Sequence, residues 1–578
     1  MKVRLAGTAG FCMGVHRAMQ IVLAEANKGE GPLLTLGPLI HNEQVLDLLA
    51  SKGVQTVNDL NGIHAGTGRI VIRAHGIPPQ DRQALRKSGL KIIDATCPRV
   101  ARVQGIIRYY TRNGYSAVIV GDKDHAEVRG LMGYCVGPVH VIHGVREVSL
   151  LPHLDQVFVV AQTTQNEQKY REVVEALKGR FKDLLVFDTI CDATSQRQRE
   201  ARSFAGQVDA VVVVGGSHSA NTQRLVEVSQ EAGLPTLHVE TEKDLDKEKL
   251  STMQVIGVTA GASTPNWMIK NVVREIERIR GRKETPFRLL LRQVIRFLVL
   301  SNLLVAAGAF SFAYAISVLW EKNPDLTFPF LTFLYIYAMR VLNRFLDRGA
   351  AVYNDPDKAA FLTRHRRLLI IMGVSAVTAA LAISYHVGMT TFLALGGLSL
   401  LGIIYSFPLV PPKLRGRSHY SKIKDIPGSR SLSEALAWVA IITLLPLLGM
   451  KIIAWPASII CILVVFLMSY TRSVLFDIFQ VQGDLVVGTE TLPITLGEKR
   501  TLALLKILLT VCALILIGAP MIDLVGGFSC AILLPLAALS FCLVAYEKRW
   551  IYPGLAFEGM VEGTFLVSGF LGVVWQAL

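Results

Sequence analysis

The sequence predicts two fold classes in one chain, a soluble α/β part followed by an all-α membrane part. Of the 578 residues, 51% are hydrophobic, and this apolar excess is not spread evenly. Up to about Arg282, short β-branched runs such as AVVVVGG alternate with charged helical segments, as in α/β proteins. After Phe287, long apolar runs with few charges recur, as in membrane proteins. We therefore expect a first domain over 1–282, a short linker over 283–288 and a membrane domain over 289–578.

The N-terminus and the cysteines indicate a reducing compartment for the first domain. The start MKVRLAGTAGFCMGV lacks the sustained apolar core and cleavage site of a signal peptide, so we expect this domain to be cytoplasmic. A disulfide framework is not expected there. Four of the eight cysteines lie in apolar runs of the membrane part and are expected to be packing residues, namely Cys461, Cys512, Cys530 and Cys542.

Three of the other cysteines share one context, in which an apolar strand is followed by the cysteine and then by a helix-like segment. The stretches GFCMGVHRA, DATCPRV and DTICDATSQRQ contain Cys12, Cys97 and Cys191, and the strand before Cys97 is expected to be buried over 90–93. About ninety residues separate successive cysteines, roughly one small α/β unit. Three such modules around a pseudo-threefold axis would bring the thiols to a common centre, where they could hold a [4Fe–4S] cluster with one iron open. Three buried structural cysteines are the alternative.

Isolated polar motifs lie at the strand ends of the same domain. GPLIHNEQV, IRAHGIP and GDKDHAEVRG contribute His41, His75 and His125, while AQTTQ, GGSHSANTQRL and TAGASTP contribute hydroxyl and amide residues near glycines. Each histidine alone could be structural. Together the motifs predict a pocket for a polyanion, most simply a phosphate or diphosphate bound by imidazoles, backbone N–H groups and helix N-termini. Glu127 lies two residues after His125 and is a candidate proton carrier.

With these motifs, residues 1 to about 280 resemble the 4-hydroxy-3-methylbut-2-enyl diphosphate reductases, the LytB or IspH family. The resemblance extends nearly end to end and includes GFCMGV, RAHG, DATCP, HAEV, AQTT, SANTQRL and TAGASTP. It implies a trefoil-like arrangement of three α/β modules around a [4Fe–4S] cluster. It also implies reductive removal of the allylic hydroxyl group, which yields isopentenyl and dimethylallyl diphosphate. An electron donor such as ferredoxin or flavodoxin would be the protein partner, and no nucleic-acid partner is expected.

The resemblance also implies roles for individual residues. The implied cluster ligands are Cys12, Cys97 and Cys191, and the implied diphosphate-binding residues are His41, His75, His125, Ser219, Asn221 and Ser263. Thr163 would lie near the reacting end of the substrate, and Glu127 would deliver protons. The family often has Ser-Ser-Asn where this chain has Ala220 between Ser219 and Asn221, so one diphosphate hydrogen bond would be missing or made by the backbone. Cys135 matches no cluster ligand and is expected to be a packing residue.

Nine apolar runs in the second part are each long enough, or nearly so, to cross a bilayer. They lie at 289–320, 328–342, 368–387, 389–410, 432–449, 453–470, 501–522, 526–545 and 554–577. Basic segments such as RIRGRK and PKLRGRSHYSKIK lie on alternate connections, whereas EKNPDLTFP, YHVGM and DLVGG are nearly free of positive charge. The positive-inside rule then predicts a multi-pass protein of the inner membrane, with a cytoplasmic N-terminus and an external C-terminus.

Two predicted cytoplasmic loops carry acidic residues beside membrane spans, NRFLDRGAAVYNDP and LFDIFQVQGDLVVGTETLPITLG. Residues from about 290 to 578 thereby resemble the UbiA-type intramembrane prenyltransferases, in which two Asp-rich motifs hold Mg²⁺ against a prenyl diphosphate. The matching positions, which form a candidate Mg²⁺ and prenyl diphosphate site, are Asn343, Asp347, Asp477 and Asp484. At three further positions that are acidic in the family, this chain has Arg344, Ala351 and Gln480. The candidates for phosphate contact in place of metal are Arg344, Tyr405, Lys413, Arg415 and Lys422.

Three interpretations of the membrane part remain open. It could transfer a prenyl chain to an aromatic or lipid acceptor with altered metal use, because Mg²⁺ on a diphosphate relies on carboxylates as ligands. Its polar remnants could only anchor loops, or the part could serve as a membrane anchor or bind lipid. For the whole chain, the alternative is a transporter or anchor domain with an iron–sulfur sensor or reductase attached. Acidic residues at one face of the membrane, rather than at its centre, favour the fused enzyme.

Overall fold

The chain divides into two compact units, Met1–Glu284 and Thr285–Leu578. A computed structural model describes the residues 1–58, 68–279, 286–320, 325–346, 351–405, 426, 428–449, 454–487, 489–548, 550–551 and 554–578. Each unit has its own hydrophobic core. The two units are described separately below.

Parallel β-sheets form the centre of the first unit. Its strands are β1 (Lys2–Leu5), β2 (Leu33–Leu36), β3 (Val54–Val57), β4 (Arg69–Ile72), β5 (Lys91–Asp94), β6 (Ser116–Val120), β7 (Val139–Ile142), β8 (Val157–Ala161), β9 (Leu184–Val186), β10 (Ala210–Val214), β11 (Thr236–Val239) and β12 (Val255–Ala260). Among the described residues they make three four-stranded sheets, ordered β1-β12-β10-β11, β3-β2-β4-β5 and β7-β6-β8-β9. The predicted three-module α/β fold is confirmed.

Helices connect these strands, as parallel pairing requires. They are α1 (Met13–Asn27), α2 (Glu43–Ser51), α3 (Pro79–Lys87), α4 (Pro98–Arg112), α5 (Ala126–Met132), α6 (Glu167–Arg180), α7 (Asp192–Ser203), α8 (Ala220–Glu231), α9 (Lys247–Ser251) and α10 (Asn266–Arg278). The strands β6, β8 and β10 (SAVIV, VFVVA and AVVVV) are buried along their whole length. Continuous apolar strands of this kind belong to sheets that are covered on both faces.

Two features of the first unit differ from the sequence-based expectation. The strand β1 pairs with β12, so the first module is built from both ends of the unit and not from one continuous segment. The strand before Cys97 is not buried: β5 lies at the edge of its sheet, and Lys91 and Asp94 are exposed. An edge strand has a hydrogen-bonded neighbour on one side only, which the apolar pair Ile92 and Ile93 could not reveal.

The second unit is helical throughout its described residues. Its helices are α11 (Pro286–Leu300), α12 (Leu303–Leu319), α13 (Thr327–Leu346), α14 (Ala351–Asn354), α15 (Pro356–Arg364), α16 (Arg366–Val387), α17 (Met389–Ile404), α18 (Ser429–Val439), α19 (Leu445–Leu447), α20 (Trp455–Val487), α21 (Leu492–Leu496), α22 (Glu498–Met521), α23 (Phe528–Glu547) and α24 (Leu555–Ala577). One π-helical turn joins α18 to α19. The described helices enclose a large apolar cluster.

Fewer helices qualify as membrane spans than the nine apolar runs predict. Six helices of the described residues are long and apolar enough to cross a membrane, or seven if α11 and α12, which are bent by 75°, make one span. The described residues of the other two runs are also helical. However, α17 has only 16 residues, and α13 carries Arg340, Asn343 and Arg344 near its C-terminal end. The described part of the chain therefore contains six or seven candidate spans.

The second acidic segment is helical up to Val487, although the sequence predicts a loop. The helix α20 has 33 residues and extends through Asp477, Gln480 and Asp484. Hydropathy falls after about residue 470, but a helix continues for as long as its backbone hydrogen bonds and its packing persist. Asp477 and Asp484 are buried in this helix rather than exposed on a loop.

Candidate functional site

The three cysteines of the shared context occupy equivalent positions in the three modules. Cys12, Cys97 and Cys191 are the N-cap residues of α1, α4 and α7. Each cysteine N–H donates a hydrogen bond to a carbonyl in the segment that follows the neighbouring strand. The acceptors and N···O distances are Ala262 at 3.2 Å for Cys12, Ala74 at 2.9 Å for Cys97 and Thr163 at 3.0 Å for Cys191. The same local geometry therefore presents each thiol at the N-terminus of a helix.

The thiols lie close to one another. A Cβ atom added at Gly14 would lie 2.6 Å from Cys97 Sγ and 3.9 Å from Cys12 Sγ, so the absence of a side chain lets both thiols reach this point. Burial raises the pKa of Cys97, and the neighbouring Cys12 and Cys191 raise it further. All three cysteines are free thiols. Three thiols around one centre are a donor set that fits an iron–sulfur cluster.

Side chains of α7 hold the loop that precedes Cys12. Arg197 Nη2 donates to the Gly10 carbonyl at 2.6 Å. The Glu200 carboxylate accepts hydrogen bonds from the backbone N–H groups of Gly7 at 2.6 Å and Thr8 at 2.9 Å. Because α7 begins at Cys191, these contacts fix the segment of one cysteine against the helix of another.

Two further contacts complete the connections between the three cysteine segments. Arg17 on α1 donates to the Thr96 carbonyl at 3.0 Å, next to Cys97. Arg99 on α4 forms an ion pair with Asp192, the first residue of α7. Each cysteine segment is thus tied to both of the others.

Three histidines form a compact group. The ring centroids of His41 and His75 are 5.4 Å apart, those of His41 and His125 5.9 Å, and those of His75 and His125 5.3 Å. Burial lowers the pKa of His41 and of His75, the latter well below its usual value, and it lowers the pKa of His125 to about 4. All three rings are therefore neutral at pH 7 and can donate or accept hydrogen bonds from a ligand.

Polar side chains that lack partners surround this group. Asn221 is only 6% exposed, and neither its Nδ2 nor its Oδ1 has a hydrogen-bond partner. His41 Nε2 and His75 Nδ1 are also buried without a partner. Ser263 Oγ lies 3.2 Å from Ser219 Oγ and 3.4 Å from the His41 carbonyl, which brings these hydroxyl groups to the same place. An unsatisfied buried polar group costs about 1–3 kcal/mol, so this arrangement indicates a pocket for a polar ligand.

Glu127 and Thr163 form one hydrogen-bonded unit. Glu127 is 1% exposed and accepts hydrogen bonds from Thr163 N at 2.7 Å and Thr163 Oγ1 at 2.8 Å. Its backbone N–H donates to His125 Nδ1 at 3.2 Å. Burial raises the pKa of Glu127, while the hydrogen bonds from Thr163 oppose this rise. Because the Thr163 carbonyl bonds to Cys191, this carboxyl group lies between the histidines and the cysteines.

In the second unit, residues of the two acidic segments come together with a residue that the sequence analysis missed. Arg430, on α18, donates to Gln480 Oε1 at 2.7 Å. Its guanidinium also lies 3.4 Å from Asp484 Oδ2 and 3.7 Å from Asp477 Oδ1. Asp347 lies outside the described residues, as do Lys413, Arg415 and Lys422.

Asn354 joins the two segments directly. Its Nδ2 donates to Asp484 Oδ1 at 3.0 Å, and its Oδ1 accepts from the Gly483 N–H at 2.9 Å. Gly483 has no room for a side chain, because a Cβ atom there would lie 2.1 Å from Asn354 Oδ1. The short helix α14 is therefore packed against α20 at the second acidic motif.

The described part of the second motif does not fit a Mg²⁺ site. Such a site needs several anionic oxygen ligands with their charge available to the metal. Here the Arg430 guanidinium contacts Asp477, Gln480 and Asp484, and Asn354 occupies one oxygen of Asp484. Only Asp477 Oδ2 is buried without a hydrogen-bond partner among the described carboxylates of the motif.

Some of the site residues that the sequence analysis missed could have been found from their positions in the sequence. Arg197 and Glu200 follow Cys191 at spacings that place both on one side of α7, so they are candidates for support of the site. Asn354 stands in the first acidic segment but outside its motif. Arg430 begins an apolar helix far from both motifs, and nothing local marks it as their partner.

Comparison with known proteins identifies relatives of the first unit. The family model of the LytB proteins matches residues 3–277. The chain is 43% identical over 284 residues to a 4-hydroxy-3-methylbut-2-enyl diphosphate reductase of Geobacter sulfurreducens, a match that covers 49% of this chain and 100% of that protein. A reductase of the same name from Geotalea daltonii is 44% identical over 279 residues, which is 48% of this chain and 98% of that protein.

Solved structures resemble both parts of the chain. The E-1-hydroxy-2-methyl-but-2-enyl-4-diphosphate reductase of Plasmodium falciparum is 30% identical and matches 50% of this chain and 89% of its own, with a TM-score of 0.46. A UbiA homologue from Archaeoglobus fulgidus bound to DMAPP and Mg²⁺ is 17% identical and matches 48% of this chain and 99% of its own, with a TM-score of 0.36.

Proposed function

Since the chain belongs to the LytB protein family, we propose that its first unit is a 4-hydroxy-3-methylbut-2-enyl diphosphate reductase. The observation that carries this proposal is the juxtaposition of three N-cap cysteines with a pocket of neutral histidines and unsatisfied polar atoms. The reaction removes the allylic hydroxyl group of the substrate as water and yields isopentenyl and dimethylallyl diphosphate. Ferredoxin or flavodoxin would supply the electrons.

Cys12, Cys97 and Cys191 would hold a [4Fe–4S] cluster. When bound, such a cluster supplies the two electrons of the reduction. Cys135 would take no part in this role, because it packs against a separate apolar cluster of the third sheet.

The diphosphate would bind among the histidines and the unsatisfied amide. Asn221 Nδ2 and the ring nitrogens of His41 and His75 offer hydrogen bonds to phosphate oxygens. Ser219 and Ser263 add hydroxyl groups, and Ser219 is the N-cap of α8, whose N-terminus favours an anion. Binding here fixes the orientation of the substrate, and such positioning accounts for much of the rate of an enzyme.

Proton delivery would fall to Glu127. Burial favours its neutral, protonated form, and Thr163 fixes the orientation of the carboxyl group through two hydrogen bonds. A protonated acid beside the bound substrate can donate to the departing hydroxyl group, so that water rather than hydroxide leaves.

Single cysteine replacements test this assignment in the full chain purified without oxygen. Cys12→Ser, Cys97→Ser and Cys191→Ser should each abolish the brown colour of the cluster and the conversion of substrate with a chemical reductant. Cys135→Ser should retain both properties. Loss of iron from the Cys135 variant, or an active cluster in any of the other three, would contradict the ligand assignment.

For the second unit, the apolar helices favour a multi-pass membrane protein, and the basic connections favour the inner membrane with the first unit in the cytoplasm. A charged pocket lined by helices of this unit supports binding of a prenyl diphosphate there and transfer of the chain to an aromatic or lipid acceptor. Severing the chain between Arg282 and Pro286 and assaying each half tests whether the two sites work independently. No prenyl transfer by the membrane half under any metal condition would leave only an anchoring role.

A further inference from the structure

A charged pocket lies inside the second unit, among α11, α12, α13, α15, α18, α20 and α24. Such charges are costly within a membrane protein unless they are paired or meet a ligand. Five of the lining residues are basic, namely Arg340, Arg344, Lys358, Arg430 and Arg472. The question is which of these charges the protein itself satisfies.

Carboxylates of the same unit satisfy four of the five cations. Arg430 contacts the second acidic motif, as described above. The other three cations are paired with glutamates that also line the pocket. These pairs are Arg340–Glu434, Arg472–Glu434, Arg472–Glu562 and Lys358–Glu558.

Arg344 is the exception. It lines the pocket, but no carboxylate of the described residues forms an ion pair with it. A second donor lines the pocket without a partner: Asn302 is 2% exposed, and its Nδ2 has no hydrogen-bond acceptor. Asn302 lies at the bend between α11 and α12 with a φ of 64°, a left-handed conformation that is unusual for a residue other than glycine. An unpaired guanidinium and an orphaned amide donor together call for an anionic ligand.

Arg430 supplies positive charge at the second motif. In the described residues, its guanidinium already neutralises the carboxylates of Asp477 and Asp484 and binds Gln480. A divalent cation would have to displace this internal cation and also break the Asn354 hydrogen bond to Asp484. The anion at Arg344 therefore does not need a metal bridge to these carboxylates.

We propose that this pocket binds the phosphate groups of an isoprenoid diphosphate without a divalent metal ion, with Arg344 as the receiving cation. Val299, Leu304 and Val305 line the pocket beside the charged groups, so the ligand carries an apolar chain. The inference rests on the proposed prenyl diphosphate binding of the second unit and specifies how that ligand is held. It departs from the Mg²⁺ site that the acidic motifs predict.

Binding of geranyl diphosphate to the full chain in detergent tests the proposal. The chain carries His125→Ala, which weakens the diphosphate pocket of the first unit and so isolates the second site. Calorimetric titrations with EDTA and with MgCl₂ should give affinities that agree within about threefold. Inorganic diphosphate and phosphatidic acid serve as the other two probes, and each should bind at least about tenfold more weakly than geranyl diphosphate.

Arg344→Gln should weaken geranyl diphosphate binding by about tenfold or more, because it removes the charge-assisted hydrogen bonds. Arg344→Lys keeps the positive charge, so it should weaken geranyl diphosphate binding less than Arg344→Gln does. It also shows whether the protein tolerates a substitution at this position. Arg367→Gln removes an exposed cation at the start of α16 and should leave binding unchanged. Equal binding by the Arg344→Gln and Arg367→Gln variants would overturn the assignment.

A titration with Mn²⁺ alone, followed by electron paramagnetic resonance, tests the role of Arg430. Mn²⁺ binding to the parent should not depend on Asp484, so the parent and its Asp484→Asn variant should give the same spectrum. Arg430→Gln frees the carboxylates of the second motif, and this variant should gain a Mn²⁺ site. A Mn²⁺ site in the parent that Asp484→Asn removes would overturn the inference even if the Arg430 variant fails to fold.

The remaining outcomes separate the inference from the proposed function. Geranyl diphosphate binding that EDTA abolishes and Mg²⁺ restores would overturn metal-free binding and leave prenyl diphosphate binding intact. No binding in either condition would overturn both. Equal binding of inorganic diphosphate would identify a site for free phosphates, and equal binding of phosphatidic acid a phospholipid site; either result would overturn the isoprenoid assignment.

Discussion

The two units each contain a site that we propose for phosphate groups, but the polar and charged side chains of the two sites are satisfied in different ways. In the first unit, the site consists of neutral imidazoles and an amide whose polar atoms have no partner. In the second unit, ionised side chains line the pocket and form ion pairs with one another. Arg344 is the lining cation that forms no ion pair with a described carboxylate. Neutral donors tolerate burial without a ligand better than charges do. Where charges are buried between apolar helices, they must be compensated within the protein.

The largest expected effect concerns Glu127, the proposed proton donor of the first site. Glu127→Gln keeps the shape and the hydrogen bond from Thr163 N but removes the acidic proton, so the turnover rate should fall by about two to four orders of magnitude. The iron content and the visible spectrum should stay unchanged. Glu172→Gln, at an exposed position of α6, is the control and should keep full activity. Activity of the Glu127 variant within a few-fold of the parent would remove this residue from the reaction.

The paired charges of the second unit should dominate its stability. Arg472 is 1% exposed and pairs with Glu562 and Glu434. Arg472→Met leaves the buried Glu562 carboxylate without its cation, while Glu434 keeps Arg340, and should destabilise the unit by about 3–5 kcal/mol. Thermal unfolding of the full chain in detergent measures this effect, and the double variant with Glu562→Gln should recover part of the loss. Lys506→Met, which breaks the more exposed pair with Glu547, should cost much less.

The sequence predicts the first site better than the second for a physical reason. Cys12, Cys97 and Cys191 each stand between a strand and a helix, and that local context determines their positions as N-caps. The LytB resemblance drawn from these motifs is confirmed. In the second unit, the decisive contact joins Arg430 to a helix about fifty residues away in sequence, and no local pattern encodes that contact. The pairing of β1 with β12 escaped the sequence analysis for the same reason.

Replacement of Asn221, the unsatisfied amide of the first site, should raise the stability of the protein and weaken substrate binding. Asn221→Leu removes two buried polar atoms that have no partners, so the free enzyme should gain about 1 kcal/mol of stability. The KM for the diphosphate substrate should rise by about ten- to a hundredfold, since those atoms are the proposed contacts. Asn166→Leu is the control, because Asn166 is equally buried but caps α6, and its loss should destabilise the protein. A destabilised Asn221 variant with an unchanged KM would show that this residue is structural.

The smallest effect is a pH dependence that only the first site should show. Burial lowers the pKa of His125 from 6.5 to about 4, so between these values the unfolded chain binds more protons than the folded one, and stability falls as the pH falls. Between pH 7 and pH 5.5 this residue should contribute a loss of about 1 kcal/mol in the free energy of unfolding. Hydrogen exchange of the buried strands β6 and β8 in the full chain reports that loss for the first unit alone. His125→Gln should remove this part of the pH dependence, while His153→Gln, at a position that is 95% exposed, should leave it in place. If the His125 variant keeps the full pH dependence, the ring is not the buried neutral group that phosphate binding requires.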